Sequence, residues 1–106
     1  MAQYKTILCE AEDAFIEKKS RFIGRIWPVE TEEEALAFLA EIRTRHKDAT
    51  HNCYAYISDI GGQATRFSDD GEPGGTAGQP ILQVLRKKGL VRTAVVVTRY
   101  FGGIKL

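Results

Sequence analysis

The chain of 106 residues lacks several common devices, and each absence removes a class of protein. No run approaches the ~20 apolar residues of a spanning helix, so no membrane span is expected. Met1-Ala2-Gln3-Tyr4-Lys5 leads into a mixed polar segment without an apolar stretch, which argues against secretion and makes the cytoplasm the expected compartment. Only two cysteines occur, Cys9 and Cys53, and in such a chain both are expected as reduced thiols, with Cys53 in the core. An excess of one charge is also missing. A net charge of +1 does not suit a dedicated nucleic-acid binder, so any such binding must rest on local clusters. These are Lys18-Lys19-Ser20-Arg21 with Arg25, Arg43 with Arg45 and Lys47, and Arg86-Lys87-Lys88 with Arg92. No Gly-x-Ser-x-Gly elbow surrounds Ser68, and a strand-interior cysteine is inert, so nucleophilic catalysis is set aside. What remains is ordinary globular material, 43% hydrophobic and 27% charged, enough for one domain around one core.

One stretch is not ordinary. Ser68-Asp69-Asp70-Gly71-Glu72-Pro73-Gly74-Gly75-Thr76-Ala77-Gly78-Gln79-Pro80 concentrates four glycines, two prolines and three carboxylates. Beyond it, Ile81, Val84 and Leu85 at i, i+3 and i+4 predict an amphipathic helix whose start presents free N–H groups. Those of Gly74 to Gly78 can be read as a phosphate site. It is not a Walker A loop, because Gln79-Pro80 stands where a Lys-Ser or Lys-Thr pair would be. Alternatively the loop is structural, with Asp69, Asp70 and Glu72 capping its own donors. A further alternative gathers these carboxylates with His51 as a magnesium or acid–base cluster. Tyr54, Tyr56, Tyr100 and Phe101 with Arg66, Arg99 and Lys105 supply the aromatic and cationic mixture that stacks bases and holds phosphates.

In chain order, residues 3–10 and 13–19 read as strands around a turn at Ala11-Glu12-Asp13, and Arg21 to Val29 as a third strand. Thr31-Glu32-Glu33-Glu34 is a capping box, with the Glu34 carboxylate reaching back to the Thr31 N–H. It starts a helix whose stripe is Ala35, Phe38, Leu39 and Ile42, widened by Leu36, and whose end carries His46. Residues 51–58 read as a strand covered on both faces and 63–67 as its returning partner. A helix from about Gln79 ends at a left-handed Gly89, and Thr93 to Thr98 is a β-branched strand for the sheet centre. The order predicts an α+β two-layer sandwich, a mixed β-sheet with helices on one face.

The stretch from Ser68 to Pro80 resembles the signature of the IMPACT family. His51-Asn52-Cys53-Tyr54-Ala55-Tyr56, Lys19-Ser20-Arg21-Phe22-Ile23-Gly24 and Val97-Thr98-Arg99-Tyr100-Phe101-Gly102-Gly103-Ile104-Lys105-Leu106 match the same pattern, which spans nearly the whole chain. The resemblance implies an IMPACT N-terminal domain over 1–106, of the ribosomal protein S-five domain 2-like fold. A ferredoxin-like domain usually follows in the family, and the family pattern continues past Leu106. A truncated product with part of its apolar surface uncovered is therefore expected.

Eukaryotic members regulate translation initiation by interfering with a starvation-sensing kinase, and bacterial relatives have been proposed to bind nucleic acid. The expected function is a non-enzymatic, translation-linked module that binds RNA or a ribosome-associated partner, using Arg99, Tyr100, Lys105 and the loop Gly74 to Gln79. The candidate ligand-binding set is Asp69, Asp70, Glu72, Gly74, Gly75, Thr76, Gly78, Gln79, His51, Arg99, Tyr100 and Lys105. No cofactor is expected, except magnesium if the carboxylates serve a phosphate-handling enzyme. A third expectation is protein association, including a homo-oligomer, through an incompletely covered sheet.

Overall fold

Among the described residues, period-two and period-3.6 patterns resolve into seven elements: β1 (Ala11–Glu17), β2 (Ser20–Pro28), α1 (Glu32–Arg45), β3 (His51–Ile57), β4 (Thr65–Ser68), α2 (Gly78–Lys87) and β5 (Thr93–Tyr100). A computed structural model describes residues 7, 9–17, 19–72, 74 and 77–100. The strands form one sheet in the order β1-β2-β5-β3-β4, which is an α+β fold with the β-branched β5 at the centre, as expected.

Two details differ from expectation. Every described pairing is antiparallel, so the sheet is not mixed. The strands joined through α1, β2 and β3, do run the same way, but β5 is inserted between them; β4 and β5, joined through α2, are likewise separated by β3. The helices also lie on opposite faces rather than one. α1 packs Ala35, Phe38, Leu39 and Ile42 with Tyr56, Ala94 and Val96, whereas α2 packs Leu82 and Leu85 with Ala55, Ile57 and Val95. Successive strand residues point to opposite faces, so these are two separate half-cores. Applying the usual right-handed rule to both crossovers places both helices on one face; here the two crossovers have opposite hand.

The first hairpin is also shifted. β1 runs through the expected turn at Ala11-Glu12-Asp13, and the chain reverses between Glu17 and Ser20, where Lys19 is left-handed with φ 68°. No glycine, asparagine or proline marks that reversal. The expected strand over 3–10 is absent at residues 7, 9 and 10, and its other positions lie outside the described residues.

At the start of α1, Thr31 Oγ1 accepts from the Glu34 N–H at 3.1 Å, while the Glu34 carboxylate accepts from the Glu30 N–H at 2.7 Å rather than from Thr31. Leu36 is exposed and does not widen the stripe. Gly89 takes the left-handed cap with φ 68°, and the Leu90 N–H returns to the Leu85 carbonyl at 2.9 Å.

His46 closes α1 against β5. The Tyr100 hydroxyl donates to Asp48 Oδ1 at 3.2 Å, so its oxygen accepts from His46 Nδ1 at 2.6 Å, and the buried Nε2 has no hydrogen-bond partner among the described residues. Desolvation, then Arg25 and Arg45, push the His46 pKa below its ordinary value of 6.5, outweighing Asp48 and Glu12. The unfolded chain therefore binds this proton more readily than the folded one. The stability linked to His46 is complete above about pH 6.5 and falls as pH drops from there through the lowered folded pKa. Urea midpoints at pH 7.5 and 5.5 are expected to differ less in His46→Gln than in the parent protein.

Candidate functional site

The signature loop closes on itself through its carboxylates. The α2 N-cap residue, Ala77, makes no side-chain cap hydrogen bond. Instead Asp69 Oδ1 accepts from the Ala77 N–H at 3.1 Å and the Gly78 N–H at 2.7 Å. A carboxylate from eight and nine residues upstream thus holds the place at the helix start that a phosphate oxygen would take.

Asp70 ties the loop to β3. Its Oδ2 accepts from the Asn52 N–H at 2.6 Å, and its carbonyl meets His51 Nδ1 at 2.7 Å. A carbonyl only accepts, so His51 carries a proton on Nδ1, and its Nε2 lies 3.7 Å from Glu72 Oε1. Arg43, at the exposed end of α1, reaches Asp70 Oδ1 at 3.4 Å.

Glu72 completes the clasp. Arg99 Nη1 donates to both of its oxygens, at 2.9 and 3.0 Å. The guanidinium also lies 5.4 Å above the Phe22 ring and 3.4 Å from Ser20 Oγ. Sequence reasoning did not include Ser20 and Phe22 in the site, although both sit in a segment that matches the family pattern. Beside the pair is a cavity of about 440 Å³ lined by Phe22, Cys53, Ala77, Ile81 and Val97.

Cys53 Sγ donates to the Asp69 carbonyl at 3.2 Å. Burial, followed by the negative charges of Glu72, Asp70 and Asp69, pushes its pKa up to about 12. At pH 8 its thiolate fraction is roughly one in ten thousand. In the folded protein, iodoacetamide is expected to modify the exposed Cys9 and to leave Cys53 intact until denaturant is added. Mass spectrometry of the labelled peptides reads this directly, and equal labelling of both thiols would contradict it.

The structure therefore brings Asp69, Asp70, Glu72, His51, Gly78 and Arg99 together but does not bring Tyr100 with them. Adjacent strand residues face opposite ways, so Arg99 points to the α2 side and Tyr100 to the α1 side with His46. Gly74 and Gln79 are exposed beside the clasp. Gly75, Thr76 and Lys105 lie outside the described residues. Among the described residues, no group of three His, Cys, Asp or Glu side chains is placed to hold a metal ion.

The Impact N-terminal domain model matches residues 18–106. The chain is 48% identical over 103 residues to the IMPACT family member YvyE of Bacillus subtilis, covering 97% of this chain and 48% of that protein. With the IMPACT family member YigZ of Escherichia coli it shares 45% identity over 91 residues, covering 84% and 45%. Among solved structures it resembles a hypothetical protein (TM-score 0.87, 40% identity, 95% and 50% covered). It also resembles the two-domain translational regulator Yih1 (TM-score 0.66, 26% identity, 95% and 41% covered). The chain spans about half the length of these relatives. The match to residues 18–106, over most of its length, makes this chain a member of the Impact N-terminal domain family.

Proposed function

We propose that this chain is a non-enzymatic module of translational regulation that acts in the cytoplasm by engaging RNA or a ribosome-associated protein. The carrying observation is how the signature carboxylates are used. Asp69, Asp70 and Glu72 accept from separate protein donors, the α2 start, the Asn52 amide and Arg99. A magnesium-dependent phosphate enzyme needs such groups converging on a common point in a cleft, so that alternative is the weaker one. The likeness to Yih1, described as a translational regulator, supports the translation link.

On this reading the clasp is a rigid scaffold rather than the contact itself. The contact surface is the adjoining end of α1, where Arg43, Arg45 and Lys47 are all exposed. Arg99 and Arg43, committed to the clasp carboxylates Glu72 and Asp70, are poor controls for binding, and Arg45→Glu with Lys47→Glu, both exposed and outside the clasp, is the better one. The test is co-sedimentation of the protein with ribosomes across a salt series, with anisotropy of labelled transfer RNA in parallel. Salt-sensitive binding that the double variant loses supports the proposal. RNA binding alone identifies RNA as the target, and ribosome binding without it identifies a protein. Neither at low salt overturns it.

A further inference from the structure

Asp70-Gly71 is the one place in the sequence where an aspartate or asparagine precedes glycine. The fold uses the pair as a turn. Asp70 and Gly71 both have positive φ, 46° and 89°, and the Glu72 N–H returns to the Asp69 carbonyl at 2.9 Å, which is the two-residue turn that favours Asp-Gly. The same pair carries a chemical weakness. Gly71 has no side chain to hinder attack by its own amide nitrogen on the Asp70 carboxyl carbon. Water reaches the turn, since Gly71 is exposed and the Asp70 side chain is 27% exposed.

We propose that Asp70-Gly71 is the site of spontaneous aspartate isomerisation in this chain, and that the clasp holds the reaction back. The Gly71 nitrogen bonds to Cγ of the neutral carboxylic acid, and the amide proton leaves with the acid hydroxyl as water. The cyclic succinimide then takes water back. Entry at Cγ restores aspartate, whereas entry at the Asp70 main-chain carbonyl breaks its bond to the Gly71 nitrogen and leaves the chain running through Cγ as isoaspartate. Composition and mass are unchanged, and water is the sole co-reactant.

Closing the ring requires the carboxyl group to turn back onto the main chain, and every polar atom of Asp70 is tied elsewhere. Its N–H donates to Ser68 Oγ at 3.1 Å, and its carbonyl accepts from His51 Nδ1 at 2.7 Å. Oδ2 accepts from the Asn52 N–H at 2.6 Å and Oδ1 from Arg43 at 3.4 Å. Molecules react only while the clasp is open, so the rate follows the opened fraction. The product cannot close the clasp again. The carboxyl carbon held by Asn52 becomes part of the main chain, the carbonyl that meets His51 becomes a free carboxylate, and one more main-chain carbon separates Asp69 from Glu72. Glu72 thereby loses its placement against Arg99. The enzyme class that recognises this product is a methyltransferase of isoaspartyl carboxylates. None of this depends on what the module binds, so either proposal can fail alone.

The test follows isoaspartate in the full chain and in a synthetic peptide of residues 66–74 at mildly acidic pH. Electron-transfer fragmentation locates it, and methyl transfer from S-adenosylmethionine by an isoaspartyl methyltransferase counts it. In the chain unfolded by guanidinium chloride, residue 70 is expected to react ahead of Asp13, Asp48, Asp59 and Asp69, at the rate of the peptide. In the folded chain the rate is expected to be at least about tenfold lower, because only the opened fraction reacts. Arg99→Leu, which frees Glu72 beside the turn, is expected to react severalfold faster than the parent while folded. If that variant does not fold, the ratio of folded parent to peptide decides alone. The isoaspartyl fraction, separated by chromatography, is expected to unfold at a lower temperature than the unreacted chain. Four results overturn the inference: equal rates in the folded chain and the peptide, faster reaction at another aspartate in the unfolded chain, no acceleration in folded Arg99→Leu, or an unchanged thermal midpoint for the isoaspartyl fraction.

Discussion

Replacing Gly78 with alanine is expected to lower stability by about 3 kcal/mol, the upper part of the ordinary range for overpacking. A Cβ at Gly78 would stand 2.5 Å from the Ser68 carbonyl oxygen, 2.7 Å from its carbon and 2.8 Å from its nitrogen. All three are backbone atoms at the end of β4, so no side-chain rotation relieves the clash. The Gly78 N–H is also one of the two donors that Asp69 holds, and displacing the start of α2 weakens that cap. For a domain of this size the loss corresponds to a fall in thermal midpoint of roughly 12 to 24 °C. Gly74→Ala is the control: nothing lies within 4 Å of its added Cβ, so a change close to zero is expected. Thermal unfolding followed by circular dichroism measures both. A loss below about 1 kcal/mol at Gly78 would mean that the β4–α2 junction yields easily.

Replacing Arg99 with leucine is expected to cost about 2 to 3 kcal/mol, because it strands Glu72 in a largely dry site. The cost falls short of the figure for a fully buried pair, since the Arg99 and Glu72 side chains are 23% and 13% exposed. Removing both partners, Arg99→Leu with Glu72→Leu, is expected to recover at least about 1 kcal/mol relative to the sum of the single changes. Urea denaturation of the four proteins closes the cycle. Strict additivity would show that the two groups are not energetically coupled despite their 2.9 Å approach.

Local signals made much of the fold legible. Thr31 and the Ala35, Phe38, Leu39, Ile42 stripe located α1, Gly89 ended α2, and the β-branched Thr93 to Thr98 run marked the central strand. The alternation of Cys53, Ala55 and Ile57 with Tyr54 and Tyr56 indicated cover on both faces. It did not reveal that α1 provides one cover and α2 the other, because crossover hand is a property of the folded chain. The reversal at Lys19 left no compositional mark.

In the site, the idea that Asp69, Asp70 and Glu72 serve the loop's own donors was open from the sequence, but their partners were not. The link from Asp69 to Gly78 spans a loop whose closure no spacing rule predicts. Grouping Arg99 with Tyr100 overlooked strand alternation, which sends neighbours to opposite faces.

The central claim is that the signature carboxylates are internal acceptors and not ligands for an external ion. Titrating magnesium into isotope-labelled protein while following the backbone amides of Asp69 to Gly78 tests it most directly. The expected result is small, non-saturating shifts matched by potassium chloride at equal ionic strength, with Asp70→Asn responding as the parent does. A saturable shift centred on Asp69, Asp70 and Glu72 that potassium does not reproduce and Asp70→Asn abolishes would contradict the claim and restore the magnesium enzyme.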